Sequence, residues 1–292
     1  MKIFITGTES FVGKELIKQC QTEKYELSGC DVNTPSDPRF CKADICSENI
    51  SDIIPENVDA IIHLAALSSD TLCENRAFEC FNVNVMGTLN LINAAEKKKC
   101  KQFIFASSEW VYDNFTSEDE KTEESIINIA NITSEYALSK LVSEANLRQK
   151  YQHGFCNITI LRFGIIYGDT KPATWAAVEA IFNSLKYNDK VVVDSLKTGR
   201  CYVHVSDIAN GIIKSIGLKG FEIINLEGNN LITLGNVIDT GCKIVGKKVS
   251  IEEKTPEFLN VRRVSAKKAQ EIINWRTEIE LERGIKELNK LI

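Results

Sequence analysis

A tyrosine and a lysine four residues apart form the clearest chemical pair in this sequence. Tyr136 and Lys140 lie in a segment with helical periodicity, so both side chains emerge from one helix face. Ser107 and Ser108 follow the apolar run 103–106, at the end of a predicted strand where open α/β sheets place their ligands. An ammonium group lowers the pKa of a nearby phenol, which can then take a proton from a substrate hydroxyl. The set therefore predicts oxidation of an alcohol, with Ser108 holding the reacting oxygen; the alternative is a packed tyrosine beside a solvated lysine.

A glycine-containing turn near the N-terminus has the spacing of a nucleotide-binding site. The apolar run 2–6 leads into Gly7, Gly13 follows, and Ser10 stands where a complete fingerprint has its middle glycine. Backbone amides and the positive end of the next helix suit a pyrophosphate. Asp31 ends the second predicted strand, where a carboxylate binds an adenosine ribose and repels a 2′-phosphate. These residues predict NAD rather than NADP as the cofactor. The positive nicotinamide ring of NAD⁺ would also favour the ionised form of Tyr136. The alternative interpretation of the Gly7–Gly13 segment is an ordinary strand–helix turn.

Short apolar segments alternate with longer helical patterns along the first half of the chain. The pattern predicts strands at 2–6, 25–30, 60–64, 103–106 and 157–161, and long helices over 74–99 and 134–151. This alternation is typical of βαβ units, and it predicts an α/β fold with a doubly wound parallel sheet (Rossmann) and a smaller, interleaved C-terminal lobe. We expect residues 1–166 plus about 201–226 to bind NAD, and about 167–200 plus 227–292 to bind substrate.

Composition excludes several classes of partner. The 292 residues carry a net charge of −5 without a basic stripe, so we expect neither nucleic acid nor a membrane surface as a partner. No apolar run approaches the roughly 18 residues of a membrane helix, and the N-terminus lacks a signal-peptide pattern. The ten cysteines are scattered without a Cys-x-x-Cys pair, and there are three histidines. We therefore expect no metal site, and reduced thiols in a cytoplasmic protein.

Nine short motifs occur in order along nearly the whole chain. They are Phe4–Gly7, Asp31, Ala43–Ile45, His63–Ala66, Asn84–Thr88, Ser107–Ser108 with Val111–Tyr112, Tyr136 with Lys140, Leu161–Phe163 with Tyr167–Gly168, and Arg200–Asp207. Together they resemble the extended short-chain dehydrogenases/reductases, and within them the NAD-dependent nucleotide-sugar epimerase/dehydratase group.

This resemblance implies a role for each matching residue. The residues implied to contact the pyrophosphate are Gly7, Ser10, Phe11, Val12 and Gly13. Asp31 would bind the adenosine ribose, and Asp44 and Ile45 would border the adenine. The residues implied along the nicotinamide and its ribose are Leu64, Ala65, Ala66 and Lys140. For the nucleotide-sugar substrate, the resemblance implies Ser108 and, at the diphosphate, Arg200; a solvated loop arginine is the alternative for Arg200. It also implies a homodimer paired through the helices near 75–99 and 134–151.

Two departures from the family pattern concern the substrate. Ile165 stands where family members that act on nucleotide sugars usually have an asparagine. Lys254–Glu257 occupies the region of a usual second arginine, with Arg262 and Arg263 nearby as substitutes. Both departures weaken the expected diphosphate site.

A third departure concerns the reaction. Dehydratases of the group carry an Asp-Glu pair after the catalytic serine or threonine, whereas this chain has Glu109 and Trp110. Glu109 is a candidate proton donor, and Trp110 is an alternative apolar wall. An epimerase needs neither acid, so we predict an NAD-dependent 4-epimerase of a nucleotide-linked sugar. The alternatives are a 4,6-dehydratase or keto-sugar reductase on the same fold, or a non-catalytic NAD-binding regulator.

Overall fold

The computed structural model describes residues 1–23, 25–112, 115, 119–169 and 177–290. Its strands within these ranges are β1 Lys2–Thr6, β2 Glu26–Asp31, β3 Phe40–Lys42, β4 Ala60–His63, β5 Gln102–Ser108, β6 Glu120–Lys121, β7 Asn157–Phe163, β8 Ile166–Tyr167, β9 Lys190–Val193, β10 Gly199–Arg200, β11 Val203–His204, β12 Phe221–Leu226, β13 Ile232–Thr233, β14 Ser250–Glu253 and β15 Arg263–Val264. Its α-helices are α1 Phe11–Cys20, α2 Asp70–Cys73, α3 Ala77–Phe81, α4 Thr88–Lys97, α5 Glu135–Gln152, α6 Ala177–Tyr187, α7 Val205–Ser215, α8 Leu234–Val245, α9 Lys267–Ile273 and α10 Leu281–Lys290. None of these described helices is long and apolar enough to cross a membrane.

Seven strands form one sheet in the order β12-β7-β5-β4-β1-β2-β3. Neighbouring strands from β7 to β3 run parallel. From β1 the chain builds outward through β2 and β3, then returns to the other side of β1 to form β4. This order creates a switch point between the carboxyl ends of β1 and β4, where doubly wound sheets bind their ligands. The predicted α/β fold class is confirmed.

The second predicted long helix forms over 135–152, but the first is interrupted. Asn75 takes a left-handed φ of 58° and separates α2 from α3. Between α3 and α4 the chain forms a π-helical stretch, Asn82–Gly87. The carbonyl oxygen of Asn84 accepts hydrogen bonds from the hydroxyls of Thr88 and Ser143, at 2.6 and 3.0 Å. A π-helical insertion of this kind re-aims side chains within an otherwise continuous helix.

The chain divides into two interleaved compact units. The first contains residues 1–113, 126–163 and 209–224, and the second contains 114–125, 164–208 and 225–292. Segments 114–125 and 201–208, which the sequence pattern places with the first domain, lie in the second unit, because β6 pairs with β15 and β11 pairs with β8. Which unit binds cofactor and which binds substrate stays a prediction.

Each unit has its own apolar core. In the first, strands β1, β4, β5 and β7 pack with α4, and the cluster includes Phe4, Phe103, Phe105 and Ile160. In the second, α6, α8 and α10 pack together around residues such as Phe182, and the separately buried Trp275 donates its indole N–H to the Asp207 carbonyl at 2.8 Å. Separate cores of this kind let each unit hold its own side chains in place.

His63 at the end of β4 is a buried, neutral member of the first unit. Its Nδ1 lies 2.8 Å from Thr6 Oγ1, and its Nε2 lies 2.9 Å from Thr88 Oγ1. The Phe103 and Phe105 rings pack against the imidazole. Burial, with a smaller contribution from the positive charge of Lys140, lowers the pKa of His63 from 6.5 to about 3. The histidine therefore fixes the ends of β1 and β4 only while it is unprotonated.

We expect His63 to make the stability of the protein fall in mild acid. Because its folded-state pKa lies below the unfolded value, the unfolded chain binds more protons between pH 6.5 and 3, and stability is lost as pH falls through that window. At pH 5 the loss should be about 2 kcal/mol. Other groups titrate in the same window, among them Glu179 with a pKa raised to about 7, but they do so alike in every variant. Between pH 7.5 and pH 5, urea unfolding should therefore show the wild type and the exposed-site control His153→Gln losing about 2 kcal/mol relative to His63→Gln. An equal change in all three proteins would contradict the assignment.

Candidate active site

The turn after β1 is locked by Ser10, the residue that replaces the middle glycine. Its hydroxyl donates to the Gly7 carbonyl at 2.6 Å and accepts from the Gly13 amide at 3.0 Å, capping α1. Gly7 takes a φ of 76°, which favours glycine. A serine at this position thus closes the turn by its side chain.

Both glycines of the turn sit where no side chain fits. A Cβ on Gly7 would lie 2.8 Å from the Ala65 amide nitrogen, and a Cβ on Gly13 would lie 2.2 Å from the Gly7 carbonyl oxygen. The Thr8 hydroxyl beside them is buried and has no hydrogen-bond partner within the described part of the chain. Backbone held this closely at a helix N-terminus suits the pyrophosphate of a dinucleotide.

Asp31 is fixed next to this turn by two backbone amides. Its Oδ2 accepts from the Glu9 amide and its Oδ1 from the Asn33 amide, both at 2.9 Å. The residue is only 7% exposed. The carboxylate is therefore oriented at the end of β2 before any ligand binds, and each oxygen keeps a lone pair for a ribose hydroxyl.

The other residues expected at the cofactor lie along the same sheet edge. Phe11 and Val12 open α1 and are partly buried. Asp44 is exposed and accepts from the Cys46 amide at 2.8 Å, whereas Ile45 is buried against Gly87. Leu64, Ala65 and Ala66 follow β4, and the Ala65 amide donates to Thr6 Oγ1 at 3.2 Å. Their contacts with NAD stay predictions.

The structure brings Ser108, Tyr136 and Lys140 together in the first unit. Ser134 caps α5, so Tyr136 falls in its first turn and Lys140 one turn later. The Lys140 ammonium donates to the Ala106 carbonyl at 2.8 Å and lies 5.8 Å from the centre of the Tyr136 ring. The Ser108 side chain lies close enough to the Tyr136 phenol to act against the rise of its pKa. All three side chains are buried.

Burial moves the two titratable groups of this set in opposite directions. It raises the pKa of Tyr136 to about 12, against the opposing effect of the Ser108 hydrogen bond. It lowers the pKa of Lys140 to about 8, against the opposing charges of Cys73, Cys80 and Glu144. Lys140 is thus a cation at neutral pH while Tyr136 keeps its proton. The ammonium alone does not bring the phenol toward neutrality, so ionisation needs a further positive charge.

Two cysteines that the sequence gave no reason to place here pack against Tyr136. Cys73 and Cys80 are fully buried and form an apolar cluster with Tyr136, lined by Leu67 and Trp110. The Cys80 thiol donates to the Glu135 carbonyl at 3.6 Å, next to Tyr136 in the chain. The thiols therefore supply the apolar environment that raises the phenol pKa.

Asn84, in the π-helical stretch, ties the segment after β4 to α5. Its Oδ1 accepts from the Leu67 amide at 2.8 Å, and its Nδ2 donates to the Leu67 carbonyl and to Ser139 Oγ, at 3.1 and 3.0 Å. The Asn84 side chain thus fixes the segment after β4, which is expected to line the nicotinamide site, relative to α5, which carries Tyr136.

A buried ion pair between Arg162 and Glu144 stabilises the end of β5. Arg162 donates to both oxygens of Glu144, at 3.0 and 2.7 Å, and to the Tyr112 hydroxyl at 2.8 Å. The Ser107 hydroxyl donates to the same Glu144 carboxylate at 2.5 Å. Glu144 lies one turn beyond Lys140 on α5. The network therefore fixes the strand end that presents Ser108 to the helix that presents Lys140 and Tyr136.

Glu109 and Trp110 lie in one 3₁₀ turn that Ser108 caps. Glu109 is fully buried, and Trp110 packs against the cluster of Cys73, Cys80 and Tyr136. Trp110 thus adds apolar surface beside Tyr136. That Trp110 lines the substrate pocket and that Glu109 donates a proton stay predictions.

In the second unit, Arg200 is held by backbone carbonyls rather than left in solvent. Its Nη1 donates to Gly199 at 2.7 Å and to Asn260 at 2.8 Å. Ile165, in the position of the expected asparagine, packs against the apolar core of this unit. Arg200 is therefore pre-oriented, and Ile165 offers no side-chain hydrogen bond.

The comparisons with known proteins agree with this fold. The sequence model of the NAD-dependent epimerase/dehydratase family matches residues 3–226. UDP-glucuronate 4-epimerase of Thermodesulfobacterium geofontis is 29% identical over 79% of this chain and 71% of its own length. UDP-glucuronic acid decarboxylase 3 of Arabidopsis thaliana is 24% identical over 98% of this chain and 87% of its own length. The crystal structure of UDP-glucose 4-epimerase with UDP-glucose from Thermotoga maritima shares the fold, with a TM-score of 0.86 at 21% identity over 100% of this chain and 99% of that chain.

The chain belongs to the NAD-dependent epimerase/dehydratase family. It is accordingly an NAD-dependent enzyme of the extended short-chain dehydrogenase/reductase type, and the predicted family, cofactor and enzyme class are confirmed.

We expect Gly13→Ala to destabilise the protein by about 1–3 kcal/mol, because the added methyl group overlaps the Gly7 carbonyl. Gly235→Ala, also near the start of a helix, is the matched control: its Cβ meets only ordinary contacts, so stability should stay equal or rise by about 0.5–1 kcal/mol. Urea unfolding of both variants tests the difference. Wild-type stability in Gly13→Ala would show that α1 does not pack this closely on the turn.

Proposed function

We propose that this protein is a 4-epimerase of a nucleotide-linked sugar, most simply a UDP-sugar. The observation that carries the proposal is the buried set of Ser108, Tyr136 and Lys140, with the ammonium 5.8 Å from the centre of the phenol ring. The named activities of the relatives above support a UDP-sugar as substrate. An intact set of this kind argues against a non-catalytic regulator.

The residues of the first unit fit NAD. The cradle at Gly7 and Gly13, the buried Thr8 hydroxyl and the oriented Asp31 carboxylate match a pyrophosphate and an adjacent ribose. When bound, NAD⁺ supplies a hydride acceptor and a positively charged nicotinamide ring. Lys140, a cation at neutral pH, is the group we assign to the nicotinamide ribose.

Tyr136 is the proposed acid–base residue. It takes the proton of the sugar hydroxyl as the carbon is oxidised, and it returns that proton to the keto oxygen when the carbon is reduced. Ser108 donates a hydrogen bond to the same oxygen. Because one phenol serves both directions, the reaction needs no second acid.

The neighbourhood of Ser108 favours an epimerase over a 4,6-dehydratase. Elimination of water needs an acid and a base beyond the keto carbon. The second position of the acid pair holds Trp110, which packs into the apolar cluster at Tyr136. Glu109 alone remains as a candidate donor, so a keto-sugar reductase is the alternative that this arrangement leaves.

The remaining assignments are part of the same proposal. The second unit would bind the substrate, with Arg200 at its diphosphate, supported by the two carbonyls that orient the guanidinium. The chain would form a homodimer through the helices near 75–99 and 134–151, supported by the exposure of Phe78 (84%) and Met86 (57%). The scattered cysteines without a Cys-x-x-Cys pair support reduced thiols and a cytoplasmic location.

We expect Tyr136→Phe to lower conversion of a UDP-sugar by about 10²–10⁴-fold, because the proton acceptor is lost. NAD⁺ affinity should stay within about threefold, since the ring is kept. Tyr151→Phe on the same helix is the matched control and should keep wild-type turnover. Products from a panel of UDP-sugars are read by NMR. Undiminished turnover in Tyr136→Phe would overturn the catalytic assignment.

We expect Phe78→Glu to convert the dimer to a monomer in sedimentation, because it places a charge in the proposed apolar contact. Phe258→Glu changes an exposed phenylalanine of the second unit and should leave the dimer intact. A monomeric wild type, or a Phe78→Glu variant that stays dimeric, would contradict the proposed helix interface.

A further inference from the structure

Glu9 is a second acidic residue next to Asp31, which it contacts through its backbone amide. It lies inside the turn between Gly7 and Ser10, and its backbone amide donates to Asp31 Oδ2 at 2.9 Å. The two acids are thus joined by one hydrogen bond although they lie on different βα units. The adenosine ribose assigned to Asp31 would lie at this junction.

The Glu9 side chain reaches from the turn to the loop after β2. One oxygen accepts from the Ser36 amide at 3.2 Å, and the other lies 3.1 Å from the Lys14 ammonium. Burial acts to raise the pKa of Glu9, but the bonds with Lys14 and Ser36 outweigh it and hold the pKa below its usual value. The group is therefore a carboxylate at neutral pH, with a fixed position.

Two basic residues of the loops around this junction are each paired with an acid. Lys14 pairs with Glu9. Arg39 donates to both oxygens of Asp37, through Nε at 3.1 and 3.0 Å and through Nη2 at 2.5 Å. A phosphate that bound either of these cations would have to break its pair.

We propose that Glu9 is a second specificity-determining residue that restricts this enzyme to NAD and rejects NADP. A 2′-phosphate carries about two negative charges and would meet two carboxylates, Asp31 and Glu9. Ribose hydroxyls, in contrast, donate hydrogen bonds to carboxylates. Glu9 also pairs with the Lys14 ammonium and so withholds it from a phosphate. The proposal rests on the assignment of Asp31 to the ribose.

Glu9→Gln separates this electrostatic role from a merely structural one. A glutamine keeps a carbonyl oxygen for the Ser36 amide, so the loop after β2 stays tied to the turn. It removes the negative charge and releases Lys14. Glu9→Ala removes both the charge and the tie. If Glu9 has only a structural role, the ratio of NAD⁺ affinity to NADP⁺ affinity should change in Glu9→Ala alone. If Glu9 determines specificity, this ratio should change in both variants.

The test is calorimetric titration of the purified full-length protein with NAD⁺ and with NADP⁺. We expect Glu9→Gln to tighten NADP⁺ by about tenfold, with NAD⁺ changed by less than about threefold. The gain should shrink at 0.5 M salt. It should be smaller but still present in Glu9→Gln/Lys14→Met, where the repulsion by Glu9 is lost but no lysine is released. Glu15→Gln removes another α1 carboxylate, one that pairs with Lys18, and should keep the wild-type ratio of affinities.

Asp31→Asn separates the two possible failures. If Asp31→Asn relaxes the preference for NAD⁺ and Glu9→Gln does not, the role of Glu9 is refuted and the ribose assignment stands. If neither variant changes the ratio of affinities, the ribose assignment of Asp31 fails as well. A tenfold gain for NADP⁺ in Glu9→Gln that persists without Lys14 would refute the release of Lys14 but keep the repulsion by Glu9.

Discussion

The burial of one ammonium group, that of Lys140, constrains the rest of the first unit. A cation removed from water is costly unless fixed partners compensate it. Lys140 has the Ala106 carbonyl at 2.8 Å, the face of Phe105 and the charge of Glu144 one turn away. Its pKa of about 8 leaves it charged at neutral pH. The site thus keeps a positive charge beside a phenol whose own ionisation the same burial opposes.

The scaffold around Lys140 fixes the elements that present the reacting groups. Arg162 and Glu144 join β7 to α5 and hold Ser107 at the end of β5. Asn84 joins the segment after β4 to the same helix. Removing one partner of such a buried network costs more than the net value of the network, since its other members lose their hydrogen bonds. The Gly7–Gly13 turn and Asp31 lie at the same edge of the sheet. The expected cofactor site and the Tyr136 site therefore both lie at the switch point of the strand order.

Local pattern was enough to predict the parts of the site that lie close in the sequence. The spacing of Tyr136 and Lys140 implied one helix face, and Gly7, Gly13 and Asp31 followed from a strand–turn–helix unit. Contacts between distant segments carried no such signal. Cys73 and Cys80 reach Tyr136 because Asn75 breaks the helix, and 114–125 joins the second unit through pairing of β6 with the distant β15. The pKa of Tyr136 depended on burial rather than on its charged neighbour, which spacing along a helix cannot show.

In the proposed mechanism, Tyr136 needs a second positive charge before it can accept a proton. Ultraviolet difference absorbance of phenolate, followed as pH is raised with and without NAD⁺, tests it directly. The wild type should show one tyrosine that ionises below its ordinary pKa of about 10 with NAD⁺ bound and well above it without. Tyr136→Phe should lack this transition. A wild-type titration that NAD⁺ leaves unchanged would contradict the account.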